Sequence, residues 1–263
     1  MTTYREVGIG FRLSPVTDRG VLPSPNIPSP NIPSPNIWNW PEVYERENRA
    51  QDADGALWRT LAQRAGWDGC DVVDVGCGDG FHLPRFAATA RSVVGVEPHL
   101  PLVSRARTRM RDQPRARVLQ GSAQRLPLPD AAADLVHART AYFFGPGCEP
   151  GLAEADRVLR PGGMLAVIDL DGSHPPYGDW LCAAAPRYRP VEVERFFTAQ
   201  GFDCHRVDVL WRFERRSDLE DSLRIEFTPD VAARAVAATP GLTIPVRYRL
   251  QLRRKPTGAW DTG

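Results

Sequence analysis

The chain has almost no lysine: of its 33 basic residues, only Lys255 is not an arginine. Against 32 acidic residues the formal net charge is +1, so no global field points to a polyanionic partner. The arginines are spread along the chain and read as coding bias before function. Cysteine is scarce and unpatterned. Cys70, Cys77, Cys148, Cys182 and Cys204 form no Cys-x-x-Cys pair and no zinc spacing, which argues against a disulfide framework and a zinc module. No metal is expected. No apolar run has the length of a membrane span, and the amino-terminal segment lacks the apolar core of a signal peptide. These absences lead to the expectation of a soluble, cytoplasmic protein with neither a membrane nor a nucleic acid as partner. At 263 residues the chain is long enough for one α/β domain with extensions.

The most informative stretch that is present is Val72-Val73-Asp74-Val75-Gly76-Cys77-Gly78-Asp79-Gly80. An apolar run ends in an acid and enters three glycines at alternate positions. That is the pattern of a buried parallel strand feeding a turn where the main chain approaches a ligand closely. A second apolar run, Ser92 to Val96, ends at Glu97, seventeen positions past Gly80. An acid at that strand tip is placed to accept both hydroxyls of a ribose. Together they predict a nucleoside-containing cofactor at the carboxyl edge of a parallel sheet. The spacing differs from the dinucleotide fingerprint Gly-x-Gly-x-x-Gly, and Asp79 inside the loop would repel a diphosphate while suiting a cationic ligand. The bland alternative is a glycine-rich turn with Asp74 and Asp79 bonded to local backbone.

From Asp71 the chain alternates strand and helix, which implies an α/β fold with a mainly parallel sheet and helices on both faces. Strands are expected at Asp71–Val75, Ser92–Val96, Val118–Gln120, Asp134–Ala138, Met164–Leu170, Phe202–Trp211 and Ile244–Leu252, the last two forming a late hairpin. Helices are expected near Phe81–Thr89, Leu102–Gln113, Pro150–Leu159, Val191–Gln200, Ser217–Phe227 and Pro229–Ala238. Upstream, Pro41 opens a helix through Ala50, and Asp54 caps a second with Leu57, Trp58, Leu61, Ala62 and Ala65 on one stripe. Residues 23–37 are three copies of Pro-Ser-Pro-Asn-Ile, a composition that forbids helix. Residues 1–37 therefore read as a low-complexity extension, and 38–263 as one domain with a helical lid at 41–66 and a sheet core at 68–254. An alternative has the repeats' Ile and Asn side chains, with Trp38 and Trp40, folding over the site.

The glycine stretch resembles motif I of the class I S-adenosylmethionine-dependent methyltransferases. Gly121-Ser122-Ala123-Gln124-Arg125-Leu126-Pro127-Leu128-Pro129-Asp130, followed by Asp134-Leu135-Val136, is similar to that family's third and fourth motifs. Arg157-Val158-Leu159-Arg160-Pro161-Gly162-Gly163-Met164-Leu165 resembles its helix, turn and fifth strand. The resemblance covers residues 68–254. It implies a Rossmann-like sheet of seven strands with an antiparallel last strand, and S-adenosyl-L-methionine as cofactor. By that resemblance Gly76, Cys77 and Gly78 pass beside the methionine portion, while Asp74 orients the loop and the ammonium. Glu97 holds the ribose, Pro98 packs on the adenine, and Ala138 and Arg139 close the fourth strand under the methionine group. Ser122, Ala123 and Gln124 edge the adenine. Many relatives carry an aspartate where Ser122 stands, so Ser122 or Gln124 takes over that bond.

Methyl transfer from a sulfonium is an in-line displacement in which positive charge disperses. Alignment in a dry pocket therefore carries most of the catalysis, and a base is needed only for a hydroxyl or a protonated amine. The reading is a methyltransferase acting on a small organic acceptor, with specialised metabolism as its setting. The alternatives are an RNA or protein methyltransferase and a non-catalytic protein that binds S-adenosylmethionine. His174, in the loop after the fifth strand with Asp169, Asp171, Tyr177 and Trp180 nearby, is the candidate base. Tyr142, Phe143 and Phe144 read as an aromatic wall for substrate or as core, and Tyr44 and Asn48 as lid residues. His137 reads as a satisfied core residue, and His82, His99 and His205 have no pattern. Arg105, Arg107, Arg109 and Arg111 share a helix whose buried stripe is Leu102, Val103, Ala106 and Met110, and read as its solvated face.

Overall fold

Val72, Val73 and Val75 are all buried, although successive residues of a strand point to opposite faces. Such a run forms where both faces of the sheet are covered. The computed structural model describes residues 36–257; the repeats as far as residue 35, and residues 258–263, lie outside the described residues. Three helices come first: α1 (Asn36–Asn39), α2 (Pro41–Ala50) and α3 (Ala56–Arg64). The alternation then runs β1 (Asp71–Val75), α4 (Leu83–Ala87), β2 (Ser92–Glu97), α5 (Leu100–Met110), β3 (Ala116–Gln120) and β4 (Ala133–Arg139). It continues with α6 (Glu149–Val158), β5 (Leu159–Leu170), α7 (Tyr177–Ala184), α8 (Pro190–Ala199) and β6 (Asp203–Arg212). It closes with α9 (Arg216–Glu226), α10 (Pro229–Ala238) and β7 (Thr243–Arg254).

The seven strands lie in the order β3-β2-β1-β4-β5-β7-β6. Neighbours from β3 to β5 are parallel, and β7 is antiparallel to both β5 and β6. This is the Rossmann-like, mainly parallel sheet with an antiparallel last strand that the sequence implies. One face is covered through Leu57, Phe86, Val103, Leu219 and Val231, and the other through Leu152, Ala155 and Phe197. Burying one such large side chain contributes about 1.5–3 kcal/mol. The strand order reverses between β1 and β4, which opens a crevice at their carboxyl ends.

Five local expectations are corrected. Asp54 does not cap α3; the Asp52 carboxylate does, accepting from Leu57 N at 3.0 Å and Trp58 N at 3.1 Å. Ala62 is exposed, because Leu57, Trp58, Leu61 and Ala65 already make the contact with the sheet. The helix after the glycine turn is only Leu83–Ala87. Pro161-Gly162-Gly163 is absorbed into β5, where Leu159 pairs with Ala133 and the register then shifts. A further helix, α7, stands where the sequence reads as loop. Its Gly178 fits because a Cβ there would meet Gly172 O at 2.7 Å.

Candidate functional site

The glycines set the shape of the turn after β1. Gly76 and Gly78 hold φ of +72° and +56°, values that a side chain disfavours. Space forbids one as well: a Cβ on Gly76 would stand 2.4 Å from Ala141 Cβ, and one on Gly78 would stand 2.7 Å from Ile37 Cδ1. Gly76 N and Cys77 N donate to Val96 O at 2.8 and 3.1 Å, tying the turn to the strand that ends in Glu97. Glu97 is 3% exposed. Its Oε2 accepts from Gly78 N at 3.1 Å and its Oε1 from His99 N at 3.0 Å. The Trp38 indole donates to the same carboxylate. Burial pushes the Glu97 carboxyl up, against the pull of these donors. A carboxylate offers about four acceptor positions, so Glu97 keeps capacity for a further hydroxyl.

A cavity of about 230 Å³ opens between this turn, the tips of β1, β2 and β4, and helices α1 and α2. Gly76, Cys77 and Gly78 form one wall, Glu97 and Pro98 the next, Ser122, Ala123 and Gln124 a third, and Arg139 a fourth. Nine of the eleven sequence-derived cofactor positions thus meet in one space. The other two stand behind it. Asp74 is buried in β1 beside His137, with Oδ1 2.7 Å from the imidazole Nδ1. Ala138 packs in the core on the opposite face, and the neighbouring Arg139 side chain lines the cavity. Arg139 is 7% exposed. Its guanidinium donates to Gln51 Oε1 at 2.7 Å and Tyr248 OH at 3.4 Å, and lies 5.1 Å from the Tyr248 ring.

Charge is distributed unevenly around the turn. Asp79 does not present a free carboxylate: an Arg109 nitrogen lies 2.8 Å from its Oδ2 and 3.1 Å from Glu45. The expected cation-attracting charge rests instead on Asp74 and Glu97. Burial, then Asp74, Glu97 and Asp79, push the Cys77 thiol well up, so it lines the wall as a neutral group. The α5 arginines correct a second expectation. Arg105 pairs with Glu42 at 2.8 Å and Arg107 Nε donates to Val118 O at 3.0 Å. With Arg109 they bind α5 to α2, β3 and the glycine turn, while Arg107 and Arg111 remain exposed as expected of a solvated face.

The roof is made by Ile37 and Trp38 of α1 and by Tyr44 and Asn48 of α2. Trp38 stacks on His99 with ring centroids 4.8 Å apart and an interplanar angle of 16°. Asn36, from the third repeat, donates to Glu226 Oε1 at 2.6 Å; α1 therefore crosses the boundary drawn at residue 37. The aromatic trio divides. Tyr142 lines the cavity, whereas Phe143 is core and Phe144 is half-buried. Thr140 and Tyr142 hold φ of +45° and +54°, a left-handed backbone uncommon for such residues that keeps this loop against the turn.

Sequence reasoning missed His82, which lines the cavity between Phe81 and Trp58. Burial and then Arg139 hold its pKa well below the usual imidazole range. Its position two residues past Gly80 was the available signal, since the chain has not yet left the turn there. His174 is not brought to the cavity. The loop after β5 turns toward β6, where His174 Nε2 lies 3.9 Å from Asp208. Its companions make structural contacts: Asp169 with Arg249 at 3.6 Å, Asp171 with Ser173 and Arg206, and Tyr177 and Trp180 with Phe227. Among the described residues no helix is long and apolar enough to cross a membrane.

A family model for a methyltransferase domain matches residues 73–167, the stretch from β1 to β5. A protein of Mycolicibacterium smegmatis named as a probable S-adenosylmethionine-dependent methyltransferase is 34% identical over 111 residues, 42% of this chain and 41% of that one. The malonyl-acyl-carrier-protein O-methyltransferase of Pectobacterium atrosepticum is 30% identical over 131 residues, 49% of this chain and 50% of that one. The match spans half or less of the length of these curated relatives. Among solved structures, the cyclase SpnF is similar in fold, with a TM-score of 0.55 and 24% identity over 77% of this chain and 80% of that one. The glycine turn, the acid at the tip of β2 and the strand order agree with these likenesses: residues 73–167 match a methyltransferase domain, and the chain is similar to S-adenosylmethionine-dependent methyltransferases.

Proposed function

We propose that the protein transfers a methyl group from S-adenosyl-L-methionine to a small organic acceptor, as a cytoplasmic enzyme of specialised metabolism. The observation that carries this reading is Glu97, a buried carboxylate with acceptor capacity left, facing a side-chain-free turn across one cavity. The donor set suits a cationic nucleoside: Asp74 and Glu97 lie beside the turn with no arginine or lysine bonded to them among the described residues, and their charge would oppose a diphosphate. When bound, the cofactor supplies an electrophilic methyl on a sulfonium. Gly76 and Gly78 admit its methionine portion, Glu97 accepts from the ribose hydroxyls, and Pro98, Ser122, Ala123 and Gln124 border the adenine. Arg139, held by Gln51 and Tyr248, meets the methionine carboxylate.

The roof, with α3 behind it, acts as the lid, keeping water from the reacting centre. Tyr44, whose phenol is pushed up by burial and then by Glu47 and Glu226, remains a hydroxyl donor toward the acceptor. His82 is the imidazole lining the cavity, held neutral by burial and Arg139, so its ring serves as a hydrogen-bonding group for a hydroxyl or amine acceptor and not as the base that takes up its proton. A small acceptor is supported by the near-neutral chain, which offers an RNA strand no overall basic field. Fold by itself does not fix the reaction; SpnF, of similar fold, is a cyclase. Binding and turnover are therefore tested separately. Calorimetry is expected to give tight binding of S-adenosylhomocysteine and none of a nicotinamide dinucleotide; the reverse overturns the cofactor reading. Labelled methyl is expected in small molecules of a metabolite extract. Label in RNA or protein, or binding without turnover, overturns the acceptor.

A further inference from the structure

The sheet holds one polar pair that the roles above leave without a task. Asp74 on β1 and His137 on β4 are registered neighbours, 3% and 0% exposed. His137 Nδ1 lies 2.7 Å from Asp74 Oδ1. An ionised carboxyl only accepts, so the ring carries its hydrogen on Nδ1. The rest of the ring sits in an aromatic box, with Trp58 at 6.1 Å and an angle of 27°, and Phe86 at 5.0 Å. Nε2 finds no partner among the described residues, and a hydrogen there would be an orphaned donor among rings. Leucine or phenylalanine would fill this box without stranding a nitrogen. The feature that histidine adds is the bond to Asp74.

That bond differs from the one made to Asp79. Arg109 cancels the Asp79 charge, whereas an imidazole hydrogen holds the Asp74 carboxylate without cancelling it. Asp74 Oδ2 receives no hydrogen bond from the described residues, and Asp74 stands behind the cavity wall, two positions before the lining Gly76. We propose that His137 is a positioning residue for the cofactor: it fixes the Asp74 carboxylate so that an uncompensated negative charge faces the ammonium of the bound methionine portion. This rests on the cofactor reading above.

The test compares two thioether nucleosides by calorimetry, S-adenosylhomocysteine and methylthioadenosine, which lacks the amino-acid tail. His137→Phe keeps the aromatic packing and removes the Nδ1 hydrogen. It is expected to weaken S-adenosylhomocysteine about tenfold and methylthioadenosine less than about twofold. His137→Asn, with an amide hydrogen near the Nδ1 position, is expected to restore most of the loss. Asp74→Asn is expected to give the same tail-selective loss, with nothing added by combining it with His137→Phe. Should His137→Phe not fold, His137→Gln, whose amide overshoots Asp74, is read in the same way. An equal loss for both ligands, as from a merely structural role, or no loss for either, overturns the inference while leaving the cofactor reading intact. A wild-type protein that binds neither ligand overturns both.

Discussion

Glu97 already serves two backbone amides and the Trp38 indole before any ligand arrives. Its carboxyl is raised by burial, so the ionised, hydrogen-bond-accepting form is lost at a less acidic pH than for an exposed glutamate near about 4.3. In the proposed complex, ribose hydroxyls donate to that form. Affinity for S-adenosylhomocysteine is therefore expected to increase as pH climbs through the raised value and to fall on acidification. Calorimetric titrations across the acidic to neutral range check this, and Glu97→Gln is expected to flatten the profile and weaken binding about tenfold. Gly76→Ala meets two obstacles, a φ of +72° and a Cβ 2.4 Å from Ala141 Cβ. It is expected to cost about 2 kcal/mol or more of stability in denaturant melts and to abolish ligand binding. Residue type and spacing make Gly76 and Glu97 legible in the sequence, because strand tips bring them together whatever else varies. The fate of Asp79 is not legible, since its partner Arg109 lies thirty positions on and meets it only after α5 packs. Which aspartate caps α3 is hidden too. It depends on Asp52 adopting a φ of +50°, which no local pattern announces.

At the scale of elements, the contact between α2 and α9 is polar. Glu47 accepts from Ser222 Oγ at 2.6 Å and Gln51 Nε2 at 3.0 Å. Glu226 holds Asn36 of α1 and Tyr177 OH at 3.4 Å, and Arg46 Nε lies 3.0 Å from Asp218. Burial raises both carboxyls, Glu47 well up and Glu226 to about 6. Because folding raises these pKa values, the stability they contribute is full below the unfolded range near 4.5, and the Glu226 share is lost as pH rises through about 6. For Glu226 the effect is at most about 2 kcal/mol. Amide hydrogen exchange in α2, corrected for its intrinsic pH dependence, is expected to show less protection as pH rises from about 5 to about 7. Glu226→Gln is expected to remove much of that slope. The strands were readable because runs such as Val93–Val96 are buried on both faces and carry their own signal. Helix α7 was not, because His174-Pro175-Pro176-Tyr177-Gly178 spells a loop and the helix is fixed by packing on Trp211 and Phe227.

Over the whole molecule, the roof governs access. A cavity of about 230 Å³ falls below the usual range of about 300–1,000 Å³ for small-molecule sites, so α1 must yield before a nucleoside with an amino-acid tail is seated. Trp38→Ala removes the stack on His99 and one donor to Glu97. It is expected to speed release of S-adenosylhomocysteine about fivefold or more in stopped-flow measurements, with the melting temperature little changed. Deleting residues 1–37 removes Ile37 from the roof and the Asn36 anchor of α1 on Glu226, and is expected to weaken binding as well. The order of the sheet has a different outcome. β6 bonds to no strand but β7 among the described residues, and thirty residues separate Arg212 from Thr243. During synthesis, every group that lines the cavity is therefore made while β6 still waits, its edge open, for a neighbour not yet translated. A ribosome stalled in that interval holds all the lining side chains but not Tyr248, the β7 residue that steadies Arg139.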